Sequence, residues 1–321
     1  MKTTVFVDGQ EGTTGLQIHE RLAKRPDIEL LKIAPERRKD LAARAELINA
    51  SDVTFLCLPD AAAVESVSLV KNEKTCVIDA STAHRTNPAF AYGLPELSKA
   101  QAERIAKSKR IANPGCHATG FLLGIAPLRA AGILPKNANL ACYSITGYSG
   151  GGKKLIAEYE APGAQTSAPG KSLPLFAPSP YSLSLCHKHL PEMQVYADLE
   201  TAPLFNPVLG PFYKGMAVSV ALFRNEFSKD ASAGDVCEIL ARHYEASRFV
   251  KVEPYRETPE LPHGRLDCTI CNGTNEARLY VFGRGNTMQV TTIIDNLGKG
   301  ASGAAIQNMN LALGIAEDTG L

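Results

Sequence analysis

Between Thr4 and Ile78, short β-branched and apolar runs alternate with helical patterns, and this rhythm constrains the fold more than any other feature of the chain. Runs at 4–7, 28–33, 53–58 and 76–78 read as strands, with helices expected at 12–24, 40–50 and 60–70. Strands joined by helical crossovers lie parallel, because each crossover returns the chain to the same end of the sheet. The first third is therefore predicted to be an α/β, Rossmann-like doubly wound domain.

The first strand runs into Asp8-Gly9-Gln10-Glu11-Gly12-Thr13-Thr14-Gly15. Gly9, Gly12 and Gly15, with Thr13 and Thr14 between them, would let backbone N–H groups approach a pyrophosphate at a helix N-terminus. The spacing is GxxGxxG rather than GxGxxG, so the turn alone has little specificity. After the second strand, an acidic residue for an adenosine ribose is replaced by Ala34-Pro35-Glu36-Arg37-Arg38-Lys39. Guanidinium groups grip phosphate oxygens in pairs, so Arg37 and Arg38 predict a 2′-phosphate and hence NADP(H) rather than NAD(H). Ser81 and Arg85 follow the fourth strand, at the sheet edge where parallel folds bind ligands, and suit a nicotinamide or an anionic substrate.

Asn113-Pro114-Gly115-Cys116 reads as the start of a helix anchored by Phe121, Leu122, Leu123, Ile125 and Leu128. Asn113 is expected as N-cap and Pro114 at the first helical position. A helix N-terminus favours a thiolate by roughly 0.3–1 kcal/mol, or about 2 kcal/mol when partly buried. Lowering a cysteine pKa from about 8.5 to about 6.5 takes roughly 2.7 kcal/mol, so Cys116 needs a second group. His187 and His189 are the candidates: in an extended segment both rings point to one face. His189 is expected as the acid/base group, with His187 and Tyr181 holding substrate, although the residues leave the choice between the two histidines open.

A chain of 321 residues with 45% hydrophobic content has room for two domains, and a net charge of +1 gives no long-range attraction to nucleic acid or membrane. The expected partners are small molecules. No apolar stretch reaches the ~20 residues of a membrane span and no signal-peptide pattern opens the chain, so a cytoplasmic location is expected. Its eight cysteines should then be thiols. Cys268 and Cys271 have no second pair or histidine at zinc-ligand spacing; they read as strand cysteines, and no metal is expected.

Beyond Cys116, strand patterns at 140–145, 216–223, 278–282 and 287–294 dominate, with one helix near 233–246. They predict an α+β domain with a mixed or antiparallel sheet, of a kind that often also forms an oligomer interface. The expected boundaries are 1–114 with 300–321 for the NADP-binding domain and 115–299 for the catalytic and oligomerisation domain. Residues 161–180, rich in Pro, Ser, Ala and Gly, read as a long loop that is either a lid or a subunit contact. A last helix is expected over 300–317.

Several blocks together resemble one family. They are Tyr92-Gly93-Leu94-Pro95-Glu96-Leu97, Asn113-Pro114-Gly115-Cys116 with Ala118-Thr119-Gly120 and Pro127, Gly147-Tyr148-Ser149-Gly150-Gly151-Gly152, His187-Lys188-His189-Leu190-Pro191-Glu192, and Asp295-Asn296-Leu297-Gly298-Lys299-Gly300-Ala301 with Ala305-Ile306-Gln307-Asn308. The chain resembles N-acetyl-gamma-glutamyl-phosphate reductase, in particular the shorter of that family's two subtypes, a relative of aspartate-semialdehyde dehydrogenase. The resemblance implies NADPH-dependent reduction of N-acetyl-L-glutamyl 5-phosphate to N-acetyl-L-glutamate 5-semialdehyde in arginine biosynthesis. Cys116 would carry a thioester, and inorganic phosphate would leave. It further implies that Arg85 meets the substrate carboxylate, that Asn113 lies at the substrate, that Gly150 and Lys299 lie at the cofactor, and that the last helix covers the nucleotide domain. A homodimer or homotetramer is expected. The departure is His117, where the family usually carries Tyr or Phe, and no role follows for it. From the residues alone, a cysteine hydrolase shares the Cys–His pair but has no use for the glycine turn and basic run. A redox-sensing NADP-binding module would need no acyl phosphate, and a sister reductase would act on a different one.

Overall fold

The computed structural model describes residues 2–9, 12–161 and 175–321. The chain divides into two compact units, Met1–Gly115 with Ala301–Leu321, and Cys116–Gly300.

The first unit is built on a six-stranded parallel sheet in the order Ile28–Leu31, Thr3–Asp8, Val53–Leu56, Cys76–Asp79, Arg110–Ala112, Ala91–Tyr92. Val53–Leu56 and Cys76–Asp79 are buried along their whole length, which is why they read as continuous apolar runs. Val5, Val7, Ile18, Ile78 and Ile111 pack in one core with Ala305, Ile306 and Met309 of the helix Gly303–Ala312. The C-terminal segment thus returns to cover this sheet. Its helix ends at Ala312 rather than at 317, because Gly314 adopts a left-handed conformation with φ +68°. Gly314 N–H donates to the Leu311 carbonyl at 3.1 Å and Ile315 N–H to that of Asn310 at 3.0 Å, the paired bonds that close a helix C-terminus. The two shortest strands, Ala91–Tyr92 and Arg110–Ala112, are too short to leave a periodic signature.

The second unit carries a seven-stranded sheet in the order Val250–Val252, Ala277–Arg284, Thr287–Ile294, Met216–Phe223, Ala141–Gly147, Leu204–Gly210, Ser179–Pro180. Val250–Val252 runs parallel to Ala277–Arg284, and Ala141–Gly147 to Leu204–Gly210; the other pairings are antiparallel, so the sheet is mixed. The helix Cys116–Ala130 lies close on one face. A Cβ at Gly120 would come 2.5 Å from Val218 Cγ2, and one at Gly124 would come 3.0 Å from Val290 Cγ1. Two glycines one turn apart thereby let the helix backbone rest directly on the sheet. On the opposite face, in the cross-strand row Tyr143, Ser219, Thr291, Tyr280, Thr291 is buried but Tyr143 is 52% exposed, and Phe223, four residues along the strand from Ser219, is 41% exposed.

Two helices of this unit, Gly152–Glu160 and Leu190–Tyr196, go beyond the strand-dominated pattern expected there. The helix expected near 233–246 runs Ala233–His243, opened by a reciprocal cap between Ser232 and Asp235. Cys268 and Cys271 lie in turns rather than in a strand: the Cys268 carbonyl accepts from Met216 N–H at 3.0 Å and closes the approach to a strand instead. Of the loop expected at 161–180, residues 162–174 fall outside the described residues, and Ser179–Pro180 pairs with Val208 and Leu209. Among the described residues, no helix is long and apolar enough to cross a membrane.

Candidate active site

Cys116 is the first residue of a 15-residue helix. The cap predicted from sequence is absent, because the Asn113 side chain is engaged elsewhere. Its Nδ2 donates to the Ala301 carbonyl at 3.0 Å, its Oδ1 accepts from Asn308 Nδ2 at 3.1 Å, and its backbone N–H donates to Asp79 at 2.7 Å. Asn113 and Pro114 therefore precede the helix, and Cys116 itself stands in the first turn, whose N–H groups have no partner within the helix. Gly300 fits against it: a Cβ there would lie 2.7 Å from Cys116 Cβ and 3.2 Å from the Asp295 carbonyl oxygen. Only a residue without a side chain allows that approach.

The neighbouring residue lies at the centre of an aromatic cluster. His117 is 3% exposed, with Nδ1 2.8 Å from the Ser144 hydroxyl and Nε2 2.9 Å from the Tyr181 hydroxyl. Its ring centroid is 5.4 Å from that of His187, 5.5 Å from that of His189 and 5.1 Å from that of Phe205. Burial brings the His117 pKa down to about 3, with the positive charge of Lys188 acting in the same direction, so the ring is neutral. Burial also raises the Tyr181 phenol above its ordinary range, helped by the charge of the nearby Cys116.

His187 and His189 are not on a strand. His189 caps the helix Leu190–Tyr196 with αR backbone angles, and Ser182 and Leu185 before it have left-handed φ of 55° and 59°. The two rings nevertheless meet, edge to face, with centroids 4.7 Å apart. The backbone N–H of His189 donates to His187 Nδ1 at 3.1 Å. That bond needs a lone pair on Nδ1, which leaves His187 neutral with its proton on Nε2. His189 is 5% exposed and its ring is not tied by that bond.

Four other cysteines, Cys57, Cys76, Cys142 and Cys271, are poor nucleophiles. Burial raises the Cys57 thiol to about 12 and the Cys76 and Cys271 thiols to about 11, and pushes Cys142 up as well.

The first unit holds the glycine turn. Gly9 has φ +88°, and a Cβ on it would lie 2.3 Å from the Cys57 carbonyl oxygen, so only glycine fits there. Gly12 N–H donates back to Gly9 O at 3.1 Å, and Gly12 precedes the helix Thr13–Ala23 without any side-chain cap. The buried Thr13 hydroxyl has no hydrogen-bond partner among the described residues. An uncapped helix N-terminus carrying Thr13, Thr14 and Gly15, with an orphaned hydroxyl in it, fits the pyrophosphate of a dinucleotide; Gln10 and Glu11 lie outside the described residues. Arg37 pairs with Asp40 at 3.2 Å, the side chains being 51% and 41% exposed, an ion pair weak enough to exchange for a phosphate. Arg38 follows it.

The remaining expected site residues are differently placed. Ser81 gives its hydroxyl proton to Asp79 at 2.8 Å, and Asp79 also lies 2.6 Å from His84 Nδ1. Arg85 is buried, donating from Nε to the Asn113 carbonyl at 3.0 Å and from Nη2 to that of Ala80 at 3.2 Å. A substrate carboxylate would compete with those carbonyls. Gly150, in the turn Tyr148–Gly151, and Lys299 belong to the second unit; Lys299 is fully buried, its ammonium 5.7 Å from the centre of the Phe249 ring.

Family models match both units: "Semialdehyde dehydrogenase, NAD binding domain" over residues 4–105 and "Semialdehyde dehydrogenase, dimerisation domain" over residues 116–296. Along its whole length the chain is 44% identical to N-acetyl-gamma-glutamyl-phosphate reductase 2 of Nostoc sp., covering 99% of that protein. The chain belongs to the N-acetyl-gamma-glutamyl-phosphate reductase family. A second family member, from Chelativorans sp., is 46% identical over 98% of this chain and 99% of its own. The fold is that of aspartate semialdehyde dehydrogenase: the Vibrio cholerae enzyme II complexed with ASA superposes with a TM-score of 0.72 at 16% identity, over 98% of both chains. The reductase family thus combines a parallel-sheet, NAD(P)-binding unit with a mixed-sheet unit.

In this member of the reductase family, Cys116, Tyr181, His187 and His189 fall in the second unit, whereas Gly9, Gly12, Thr13, Thr14, Gly15, Arg37, Arg38, Ser81, Arg85 and Asn113 fall in the first. Two residues that contact this cluster carried no signal in sequence, Ser144 and Phe205, because nothing local marks a strand residue that faces a distant ring. A third, His117, was visible but unassigned. For Gly300→Ala, the expected result is a fall in turnover of about a hundredfold with slower alkylation of Cys116, since a misplacement of about 1 Å costs that much. Wild-type turnover in that variant would show that the tight contact has no part in placing the sulfur.

Proposed function

We propose that the chain reduces N-acetyl-L-glutamyl 5-phosphate to N-acetyl-L-glutamate 5-semialdehyde with NADPH, as a step of arginine biosynthesis in the cytoplasm, through a thioester on Cys116. The observation that carries this reading is the grouping in one unit of a helix-initiating cysteine with Tyr181, His187 and His189 around His117. The activity named for full-length relatives supplies the acyl phosphate.

His189 takes the proton of the Cys116 thiol, and Sγ attacks the acyl carbon. The C–S bond forms, the C–O bond to phosphate breaks, and phosphate leaves with its electron pair. N–H groups of the first helical turn stabilise the oxyanion passed through on the way. When bound, NADPH supplies the hydride that reduces the thioester carbonyl. Cys116 departs as a thiolate, and His189 returns the proton to Sγ. His187, with its proton on Nε2, and the un-ionised Tyr181 phenol are donors suited to holding the substrate. Thr13, Thr14 and Gly15 would hold the pyrophosphate, Arg37 and Arg38 the 2′-phosphate of NADP(H), and Ser81, Gly150 and Lys299 the environment of the nicotinamide. Asn113 and Arg85 would serve the substrate from the sheet-edge turn.

A homodimer or homotetramer is supported by the open sheet face around Tyr143 and Phe223, which gives a second copy apolar surface to cover.

Run backwards, the reaction tests this reading: the semialdehyde and NADP⁺ should yield NADPH only with phosphate or arsenate present. Activity indifferent to phosphate would contradict it. In the same assay, replacing Arg37 and Arg38 together by Ala should raise the KM for NADP⁺ about tenfold more than that for NAD⁺. Equal effects on the two would assign the basic run to solvent.

A further inference from the structure

Tyr181, His187 and His189 all come from one irregular stretch. Tyr181 N–H is fixed to the Pro207 carbonyl at 3.1 Å, after which Ser182 and Leu185 are left-handed and regular structure resumes only at Leu190. Such a segment cannot by itself hold three side chains at fixed positions relative to a sulfur. The anchor must come from an element rigid with respect to Cys116, and the helix Cys116–Ala130, seated on the sheet through Gly120 and Gly124, is such an element.

His117 connects the two. Its backbone is next to that of Cys116, and both of its ring nitrogens are occupied: Nδ1 by the Ser144 hydroxyl on the strand Ala141–Gly147, Nε2 by the Tyr181 hydroxyl. His187 and His189 press against its ring, with Phe205 of the strand Leu204–Gly210 behind His187 at 5.0 Å. The titratable groups facing it are Tyr181, His187, Lys188 and His189, all from the irregular stretch before Leu190. A neutral imidazole has one donor and one acceptor, and two hydroxyls satisfy both. Neither nitrogen is left to meet substrate.

We propose that His117 is a positioning residue for the reductase reaction: pinned by Ser144, it holds the Tyr181 hydroxyl and seats His187 and His189 in register with Cys116. This rests on the reading of Cys116 as nucleophile and His189 as acid/base group. The histidine beside the cysteine is neither a second base nor a cofactor contact; it is the joint through which the helix fixes the 181–189 stretch.

The test is a double-mutant cycle with Tyr181→Phe. His117→Phe keeps a ring against His187 and His189 but removes both hydrogen bonds, so it should lower kcat about 10-fold to 100-fold, with KM changing by less than about threefold. In the Tyr181→Phe background the same substitution should cost less than about threefold, because the bond to Tyr181 is already gone and the Ser144 bond has no hydroxyl left to align. His117→Gln, which retains a polar atom toward Tyr181, should recover part of the loss. Two readouts are independent of the acyl phosphate. The rate of Cys116 alkylation should fall in His117→Phe, and the ring ¹⁵N shifts of His117 should stay those of a neutral imidazole from about pH 5 to about pH 9. Should His117→Phe fold poorly, Ser144→Ala leaves every ring in place and should show the same coupling to Tyr181→Phe with a smaller loss. Wild-type kcat in His117→Phe and Ser144→Ala, or losses that multiply in the double variants, would overturn the positioning role while phosphate-dependent turnover stood. Loss of that phosphate dependence in the wild type would overturn the reaction reading instead.

Discussion

Replacing Cys116 by Ser is expected to lower turnover by roughly 10⁴–10⁶-fold, in the range seen when a nucleophile that acts as part of a unit is removed. The alcohol is a far weaker nucleophile near neutral pH, and a helix N-terminus contributes at most about 2 kcal/mol to charge at that position, too little to ionise it. Stability should move by only about 1 kcal/mol or less, because the exchange of sulfur for oxygen leaves the contact with Gly300 free of new atoms. Calorimetry or a thermal melt beside the rate measurement separates the two effects. A Cys116→Ser variant with a tenth of wild-type activity would remove Cys116 from the chemistry. No other cysteine of the buried set is poised to substitute: Cys57, Cys76 and Cys271 are held protonated by burial, and Cys142 likewise.

His189→Asn should cost about 10²–10⁴-fold in kcat, the usual worth of a positioned acid/base group, and should remove one limb of the pH–rate profile. His187→Asn should cost far less, about tenfold, since an asparagine oxygen can still accept the His189 N–H that His187 Nδ1 accepts. The contrast between the two variants carries the assignment. If His187→Asn proved the more damaging and altered the profile, the roles would be exchanged.

The two sheets were legible for different reasons. In the first unit the buried parallel strands spelled themselves out as apolar runs, and the helices between them followed from periodicity. In the second, Met216–Phe223 alternates throughout and Thr287–Ile294 alternates over its first half before a β-branched run, and both have the ends expected from sequence. The strand Leu204–Gly210 was missed because Asn206 and Pro207 interrupt its pattern; Pro207 is tolerated where its missing N–H is not required by the ladder. The helix Leu190–Tyr196 is too short for a periodic signal. At the site, Cys116, Tyr181, His187 and His189 were legible because reactive residue types are rare and carry their chemistry with them. The cap was misread because Asn113 meets Asn308, 195 residues away in sequence, and no local pattern records that contact. His187 and His189 were expected to meet on an extended segment; they meet through a turn and a helix start, an arrangement set by the partner side chains rather than by backbone alternation.

The central claim is that an acyl group is carried on Cys116, and trapping it is the most direct measurement. Enzyme mixed with the acyl phosphate without NADPH, quenched in acid and digested, should release one phosphate per active site and leave an N-acetylglutamyl adduct on the peptide containing Cys116. The adduct should disappear when NADPH is added before the quench. Phosphate release without an adduct, or an adduct on any other residue, would contradict the thioester account.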